Sequence, residues 1–329
     1  MNVTYRDIHL ANKFAKVDRS TKTKFDNRSG FTIVEVITVI GIIGILLALS
    51  FPAVQTVRQA ARRTQCASNI RQVLTATMAF ESTGKGLPKA DDGNGGGFII
   101  SLLPFLEQPL LYDRSREPLL GVETFQNRLS ELSNTRFPTV LCPASSFEQT
   151  VLPDQGQFTI HYYGVAGPSG SATTTDGTYQ YNIVSPSPSA GPIGTQGMFS
   201  PTSRGTFIPR RLRDVKDGLS NTFSIGEISD FNNDIPLENR LVGGWAFGAG
   251  YNSNRVVTNM YGMKTLALQI NSNINTLNDM PFSSNHAGGS QFGFGDVAVR
   301  FVSGRISVDV LKTFASINEN EEIGDLERY

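Results

Sequence analysis

Apolar and polar positions follow three successive patterns along this chain. Residues 31–51, FTIVEVITVIGIIGILLALSF, form an almost unbroken apolar run with no Lys, Arg or Asp and one acid, Glu35. At about 1.5 Å per residue the run is long enough to cross a hydrocarbon core of about 30 Å, which predicts a membrane-spanning helix. A secretory signal is the competing reading, but its apolar stretch normally covers only about 7 to 15 residues. From Pro52 to Ser82 the chain is rich in Ala, Gln, Arg and Leu, has no further Pro or Gly, and meets Gly84 and Gly86 just beyond. These are the marks of a continuing helix and its stop. Cys66, Ile70, Val73 and Thr77, with Leu74 beside them, recur at i, i+4, i+7 and i+11 and define a face that would cover a sheet; Arg62, Arg63 and Arg71 lie off it. As one helix, residues 31–82 would extend about 78 Å, more than a compact domain needs, so half is expected to serve as anchor or stalk.

The third pattern is of short, turn-bounded segments. FIISLLPFLEQPLLYD at 98–113 is apolar but broken by prolines into helical turns. TVLCP reads as a strand ended by Pro143, residues 222–228 as a strand after the Asp217-Gly218 turn, and GGWAFG at 243–248 as a short aromatic strand. Phe292 and Phe294 on one arm and Val297, Val299 and Phe301 on the other predict a hairpin with one buried face around Gly295-Asp296. Residues 167–205, dominated by Gly, Ser, Thr and Pro, read as a long surface excursion.

Composition narrows the function classes. Lys+Arg 29 against Asp+Glu 29 leaves no net charge, which argues against a nucleic-acid binder working by counterion displacement. The charge is uneven, however: residues 1–30 hold seven Lys/Arg against three Asp, a basic leader directly before the apolar run. Six Lys/Arg in the twenty residues before the span against four in the twenty after it favour an inside amino terminus. Two cysteines exclude a four-thiolate zinc site, and three histidines, His9, His161 and His286, make a His-rich metal cluster improbable. No cofactor and no metal is expected. The loop DDGNGGG offers Asp91, Asp92 and Asn94 but lacks the later bidentate Glu of a calcium loop. No nucleophile elbow or phosphate-cradling glycine loop is present, so the chain is read as no enzyme.

A carboxylate inside a membrane helix costs about 2.5–3.5 kcal/mol on insertion scales and asks for a partner. The segment RSGFTIVEVITVIGIIGILLALSFPAVQ resembles the prepilin-type cleavage and methylation segments of type IV pilins and type II secretion pseudopilins. The resemblance implies that a prepilin peptidase on the cytoplasmic face cuts after Gly30 and methylates Phe31. It also makes Glu35 the acid at the fifth mature position and Pro52 the proline at the twenty-second, both serving helix assembly. The amine released at Phe31, from the same or a neighbouring subunit, is the cation expected to meet Glu35. Gly41 and Gly44 are permissive of close helix packing.

Farther along, LLPFLEQPLLYD, VLCPAS, YYGVAGPSG, LRDVKDGLSNTFSIGE and NHAGGSQFGFGDVAVRFVSG resemble a pilin-like family abundant in planctomycetes, the domain of unknown function 1559. Its carboxy-terminal signature is His, nine residues, then Asp-Gly. His286 and Asp296 keep that spacing, but Val297 stands where the family has Gly, and Gly appears one place early as Gly295. Because a β-branched residue resists positive φ, a type II′ turn at Gly295-Asp296 is expected instead. Glu227, His286 and Asp296 are signature positions of unknown role. A structural role is favoured over a hydrolytic or metal site.

These features predict an α+β, pilin-like fold in four parts. They are a basic leader (1–30), a transmembrane part of the long helix (31–51), an extracytoplasmic half (52–82) and a β-rich head (83–329) in which the helix packs on an antiparallel sheet. The head is expected to be periplasmic or at the cell surface, and the chain a single-pass protein of the inner membrane. In that compartment, Cys66 on the helix face and Cys142 at a strand end favour a disulfide, with two separate buried thiols as the alternative. The expected function is a pilin-like or pseudopilin-like subunit whose partners are prepilin peptidase, other pilin-like subunits and the membrane, with no nucleic acid. One alternative is a membrane-anchored receptor or lectin-like module contacting ligand through Trp245, Tyr162, Tyr163 or the long loop. Another is a tethered hydrolase using His286.

Overall fold

The computed structural model describes residues 30–92, 95–117, 124–150, 156–175, 177–184, 190–199, 210–230, 243–251, 257–273 and 276–318. The basic leader before Gly30 and Asn94 lie outside them. The chain divides into two units, Met1–Ala53 and Val54–Tyr329. Helix α1 (Ile33–Phe80) begins in the first and runs on into the second, with Pro52 inside it.

In the first unit the side chains of residues 31–53 are all exposed, Phe31, Ile33, Leu49 and Phe51 among them. The best window of α1 has a mean hydropathy of 2.6 and no buried residue. A helix so apolar on every face has no polar side to offer water, and it is long enough to cross a membrane.

In the second unit α1 becomes one-sided. Cys66, Ile70, Val73, Leu74 and Thr77 are fully buried, as their spacing predicts, while Arg62, Arg63 and Arg71 stay exposed. Arg63 is not simply solvated: its guanidinium lies 3.5 Å from the centre of the Phe301 ring. The helix ends in a π-type turn, Glu81–Lys85, where Gly84 adopts φ +83° and Gly86 φ +80°. Short helices follow: α2 (Phe98–Leu102), a 3₁₀ turn Leu103–Leu106, α3 (Pro109–Arg116) and α4 (Phe125–Ser133). Pro109 opens α3 where no N–H is needed, and the Thr124 hydroxyl caps α4 by accepting from the Asn127 N–H at 3.2 Å.

The central sheet has five strands: β1 (Tyr162–Pro168), β6 (Phe223–Glu227), β9 (Met263–Leu266), β10 (Gly289–Phe294) and β11 (Val299–Ser303), in the order β11-β10-β6-β1-β9. Between them lie the small pairs β2 (Ser171–Thr173) with β3 (Thr178–Gln180), β4 (Ile183–Val184) with β5 (Ile193–Gly194), and β7 (Ala249–Tyr251) with β8 (Val257–Met260). Each neighbouring pair among β11, β10, β6 and β1 is antiparallel. The edge strand β9 runs parallel to β1, so the sheet is mixed rather than purely antiparallel.

Helix α1 lies against one face of this sheet. A Cβ at Gly293, in β10, would stand 2.6 Å from Leu74 and 2.8 Å from Ile70, so only glycine permits the helix to come this close. The other face is filled by Phe223, Phe292 and Phe294, stacked with Phe314 of α5 (Val308–Ala315) at ring separations of 4.4–6.3 Å. The hairpin of β10 and β11 forms as predicted, but β10 is buried along its whole length because both faces are covered.

Four local readings are corrected. TVLCP is no strand: Pro138–Val140 is a 3₁₀ turn and Cys142 follows it in a loop. GGWAFG is a turn at Trp245 and Ala246 followed by an isolated bridge from Phe247 to Gly96, because the Trp245 indole N–H is drawn to the Thr135 carbonyl at 2.9 Å. The stretch 167–205 is no surface excursion throughout, since Ile193, Met198 and Phe199 are in the core and the Gly197 N–H bonds to Ala166 O in β1 at 3.0 Å. Finally, the turn between β10 and β11 does not avoid Val297. Phe294 N donates to Ala298 O at 2.8 Å and Val297 N to Phe294 O at 3.1 Å, which makes a three-residue loop whose last member, Val297, takes φ +70°.

A β-branched residue in the left-handed region is strained by about 1–2 kcal/mol, and glycine there is not. Val297 is half-buried, so losing its side chain offsets part of the gain. Val297→Gly is expected to raise stability by about 1 kcal/mol, read as a higher Tm; a lower Tm would mean that packing of the isopropyl group outweighs the strain.

Candidate functional site

Two places hold the residues singled out from the sequence, one in each unit. In the first, residues 30–32 precede the first helical residue, Ile33, so the bond between Gly30 and Phe31 lies in non-helical, exposed backbone. A Cβ at Gly30 would meet nothing within 4 Å, so the fold itself does not require glycine there. Glu35 is not left bare in this chain. Its Oε2 accepts from the Thr32 N–H and the Thr32 hydroxyl, both at 2.8 Å, and the Thr32 hydroxyl in turn accepts from the Glu35 N–H at 3.3 Å. This reciprocal pair is a capping box, whose Thr-x-x-Glu pattern was legible in the sequence but absent from the reading of Glu35 as a lone acid.

In the second unit, Cys66 on α1 and Cys142 on the loop after the 3₁₀ turn are joined in a disulfide, with Cα atoms 5.1 Å apart across 76 positions of sequence. Neighbours hold the two ends in place. Asn69, one turn along α1, donates to Leu141 O at 2.9 Å. Tyr162, at the start of β1, donates to the same carbonyl at 3.4 Å. His161 accepts the Cys142 N–H on Nδ1 at 2.8 Å, which makes the imidazole an acceptor on that nitrogen and therefore neutral. Full burial pushes the His161 pKa down to about 3, against smaller opposing effects of the Glu148 charge and a Phe147 backbone bond. Burial first, and the Glu227 charge second, push the Tyr162 phenol well above its usual range.

Glu227 ends β6 directly opposite Tyr162 and, like it, is buried. Its Oε1 accepts from the Ser229 hydroxyl at 2.6 Å and its Oε2 from the Gln291 N–H at 3.2 Å. His286, in the bend before β10, places Nε2 3.5 Å from Glu227 Oε1 and 3.6 Å from Cys142 Sγ. Glu227 and His286 therefore come together beside the bridge. Asp296 does not join them: it sits exposed in the hairpin turn, where its carboxylate accepts from the Ala298 N–H at 3.0 Å. A groove of about 460 Å³ lined by Gln65, Asn69, Gln72, Arg136 and Glu148 is bordered by neither Glu227 nor His286. In the loop once weighed for calcium, Asp92 accepts from the Gly96 N–H at 3.0 Å and Asp91 from the Ala249 N–H at 3.3 Å, so both carboxylates serve the backbone.

Asn69 and His161 were missed as parts of this site. Asn69 stands three positions after Cys66 on the same helical face, a signal the sequence did carry. Nothing in the sequence places His161 under Cys142.

Residues 55–309 match the family model described as protein of unknown function (DUF1559), and residues 26–51 match the prokaryotic N-terminal methylation motif. No curated protein and no solved structure matches the chain.

Two outcomes are expected from the bridge and its histidine. Cys66→Ser should lower stability by about 4 kcal/mol in the chain-entropy account of a loop this long, measured by denaturant unfolding. His161 stays neutral in the folded chain down to about pH 3 but takes up a proton near pH 6.5 once unfolded. Stability should therefore fall as pH drops from about 6.5 towards 3, by at most about 1.4 kcal/mol per unit from this group. Unfolding curves across that window check it: the slope should be shallower in His161→Gln, and equal slopes would remove the assignment.

Proposed function

For a chain that belongs to the family described as protein of unknown function (DUF1559) and carries the N-terminal methylation motif ahead of it, we propose the role of a pilin-like or pseudopilin-like subunit. Prepilin peptidase cuts it between Gly30 and Phe31 and methylates the new terminus. The apolar part of α1 holds it in the cytoplasmic membrane with the head outside, and subunits assemble through that helix into a type IV pilus or a type II secretion-like fibre. The protein acts by assembly, not catalysis.

The observation that carries this reading is the state of the first unit. A non-helical, exposed Gly30-Phe31 bond precedes a helix that is apolar on all sides and holds one carboxylate, at Glu35. Glycine at 30 answers no need of the fold, which suits a residue selected by a peptidase. Glu35 with its Thr32 cap is satisfied before cutting, and the amine freed at Phe31 would give the acid a cationic partner within or between subunits. The receptor-like alternative is not favoured, because Trp245, Tyr162 and Tyr163, its intended aromatic contacts, are at most 1% exposed.

Glu35→Gln separates the two duties of this side chain, since a carboxamide still completes a capping box but carries no charge. The variant should be cut and inserted like the wild type, as read by mass spectrometry of the mature terminus, yet incorporate into fibres at least tenfold less. Wild-type incorporation would eliminate charge pairing as the basis of assembly.

A further inference from the structure

Counted by type, the cysteines and histidines of this chain predict no metal. The fold brings one mixed set together. The two sulfurs of Cys66 and Cys142, a nitrogen of His286 and a carboxylate oxygen of Glu227 all lie within 4.8 Å of one another, and all four residues are buried. Two thiols, an imidazole and a carboxylate are ligands that zinc accepts.

Two of the spacings fit as well as the chemistry does. With metal–ligand bonds of about 2.0–2.3 Å, neighbouring ligand atoms of a tetrahedral zinc site stand about 3.3–3.8 Å apart. His286 Nε2 is 3.6 Å from Cys142 Sγ and 3.5 Å from Glu227 Oε1. The two sulfurs, covalently joined here, are closer than a metal would place them, and the remaining pairs lie within 4.8 Å. Cys142 is on a loop and not in a strand ladder, so its sulfur can move away from Cys66 without breaking the sheet. The carboxylate is already oriented by Ser229 and the Gln291 N–H, the kind of outer support that metal ligands need. Among the described residues, the one group of potential positive charge recorded in ion-pair range of Glu227 is His286. Once the bridge is opened, a buried carboxylate beside two thiols has no strong cation unless an ion supplies it.

We propose that, with the bridge reduced, Cys66, Cys142, Glu227 and His286 form a four-coordinate site for Zn²⁺, so that disulfide and metal are alternative fastenings of α1 to the rest of the head. A dithiol reductant breaks the S–S bond, delivering two electrons and two protons to the sulfurs and becoming a cyclic disulfide itself. Zinc binding then displaces both thiol protons, with no change in the oxidation state of the metal. The proposal is independent of whether the chain assembles into a fibre.

The test uses the full chain in detergent, reduced with dithiothreitol, desalted without oxygen and titrated with Co²⁺ as a spectroscopic stand-in for Zn²⁺. One equivalent of Co²⁺ should bind, giving the visible bands of a tetrahedral ion and thiolate-to-cobalt absorption, both abolished by one equivalent of Zn²⁺. The oxidised chain should give neither. His286→Ala and Glu227→Gln should weaken Co²⁺ binding at least tenfold while retaining the wild-type circular dichroism spectrum. If a variant does not fold, the wild-type cobalt spectrum alone decides. A reduced wild-type chain without a tetrahedral cobalt spectrum would overturn the proposal, whether it keeps its fold or loses it. Co²⁺ affinity that is the same in folded variants and wild type would do so too, by showing adventitious binding to thiols.

Discussion

One continuous helix has to satisfy two surroundings, and most of this structure follows from how it does so. Through the first unit α1 is apolar on every side and exposed, which only a lipid environment or other apolar helices can accommodate. From Cys66 on the same helix is one-sided, burying a single stripe and leaving Arg71 outside. The change needs no break in the backbone hydrogen bonding beyond the donor that Pro52 lacks, because amphipathicity belongs to side chains alone.

The second half of α1 then sets the terms for the head. Ile70 and Leu74 occupy the space above Gly293, so the middle of β10 must be bare for the helix to lie down. With that face closed, the rest of the sheet's apolar surface goes to the phenylalanine stack with α5 on the opposite side. Several polar groups under the helix hold one another. Asn69 and Tyr162 share the Leu141 carbonyl, His161 takes the Cys142 N–H, and Ser229 and Gln291 hold Glu227. Buried polar groups cost least when paired, and here these pairs gather around the covalent link between helix and loop.

The features with strong period or strong punctuation were legible in the sequence. The stripe from Cys66 to Thr77, the stop at Gly84, the strand at Phe223–Glu227 and the hairpin of β10 and β11 all depend on local spacing. What was misread depends on distant partners. TVLCP has the composition of a strand but gives its polar groups to Asn69 and His161 instead of a ladder. Trp245 bends its segment towards Thr135, far away in sequence. The Gly/Ser/Pro stretch contributes Ile193, Met198 and Phe199 to the core because β1 offers its backbone beside them. Val297 shows propensity overridden by its surroundings: the hairpin register and the half-buried side chain hold a β-branched residue where glycine would rest unstrained. The pairing of Glu227 with His286 was out of reach for a subtler reason, since one ends β6 and the other sits in the bend before β10, and only the folding of that bend over the end of β6 makes them neighbours.

The position of Cys66 has a mechanical meaning. A pull transmitted along α1 from its apolar end reaches the covalent tie to the Cys142 loop before it reaches Ile70, Val73 and Leu74. Shear that would otherwise peel the helix from the sheet one side chain at a time is thus handed first to a bond that does not creep, and the dispersive contacts behind it are sheltered from the load.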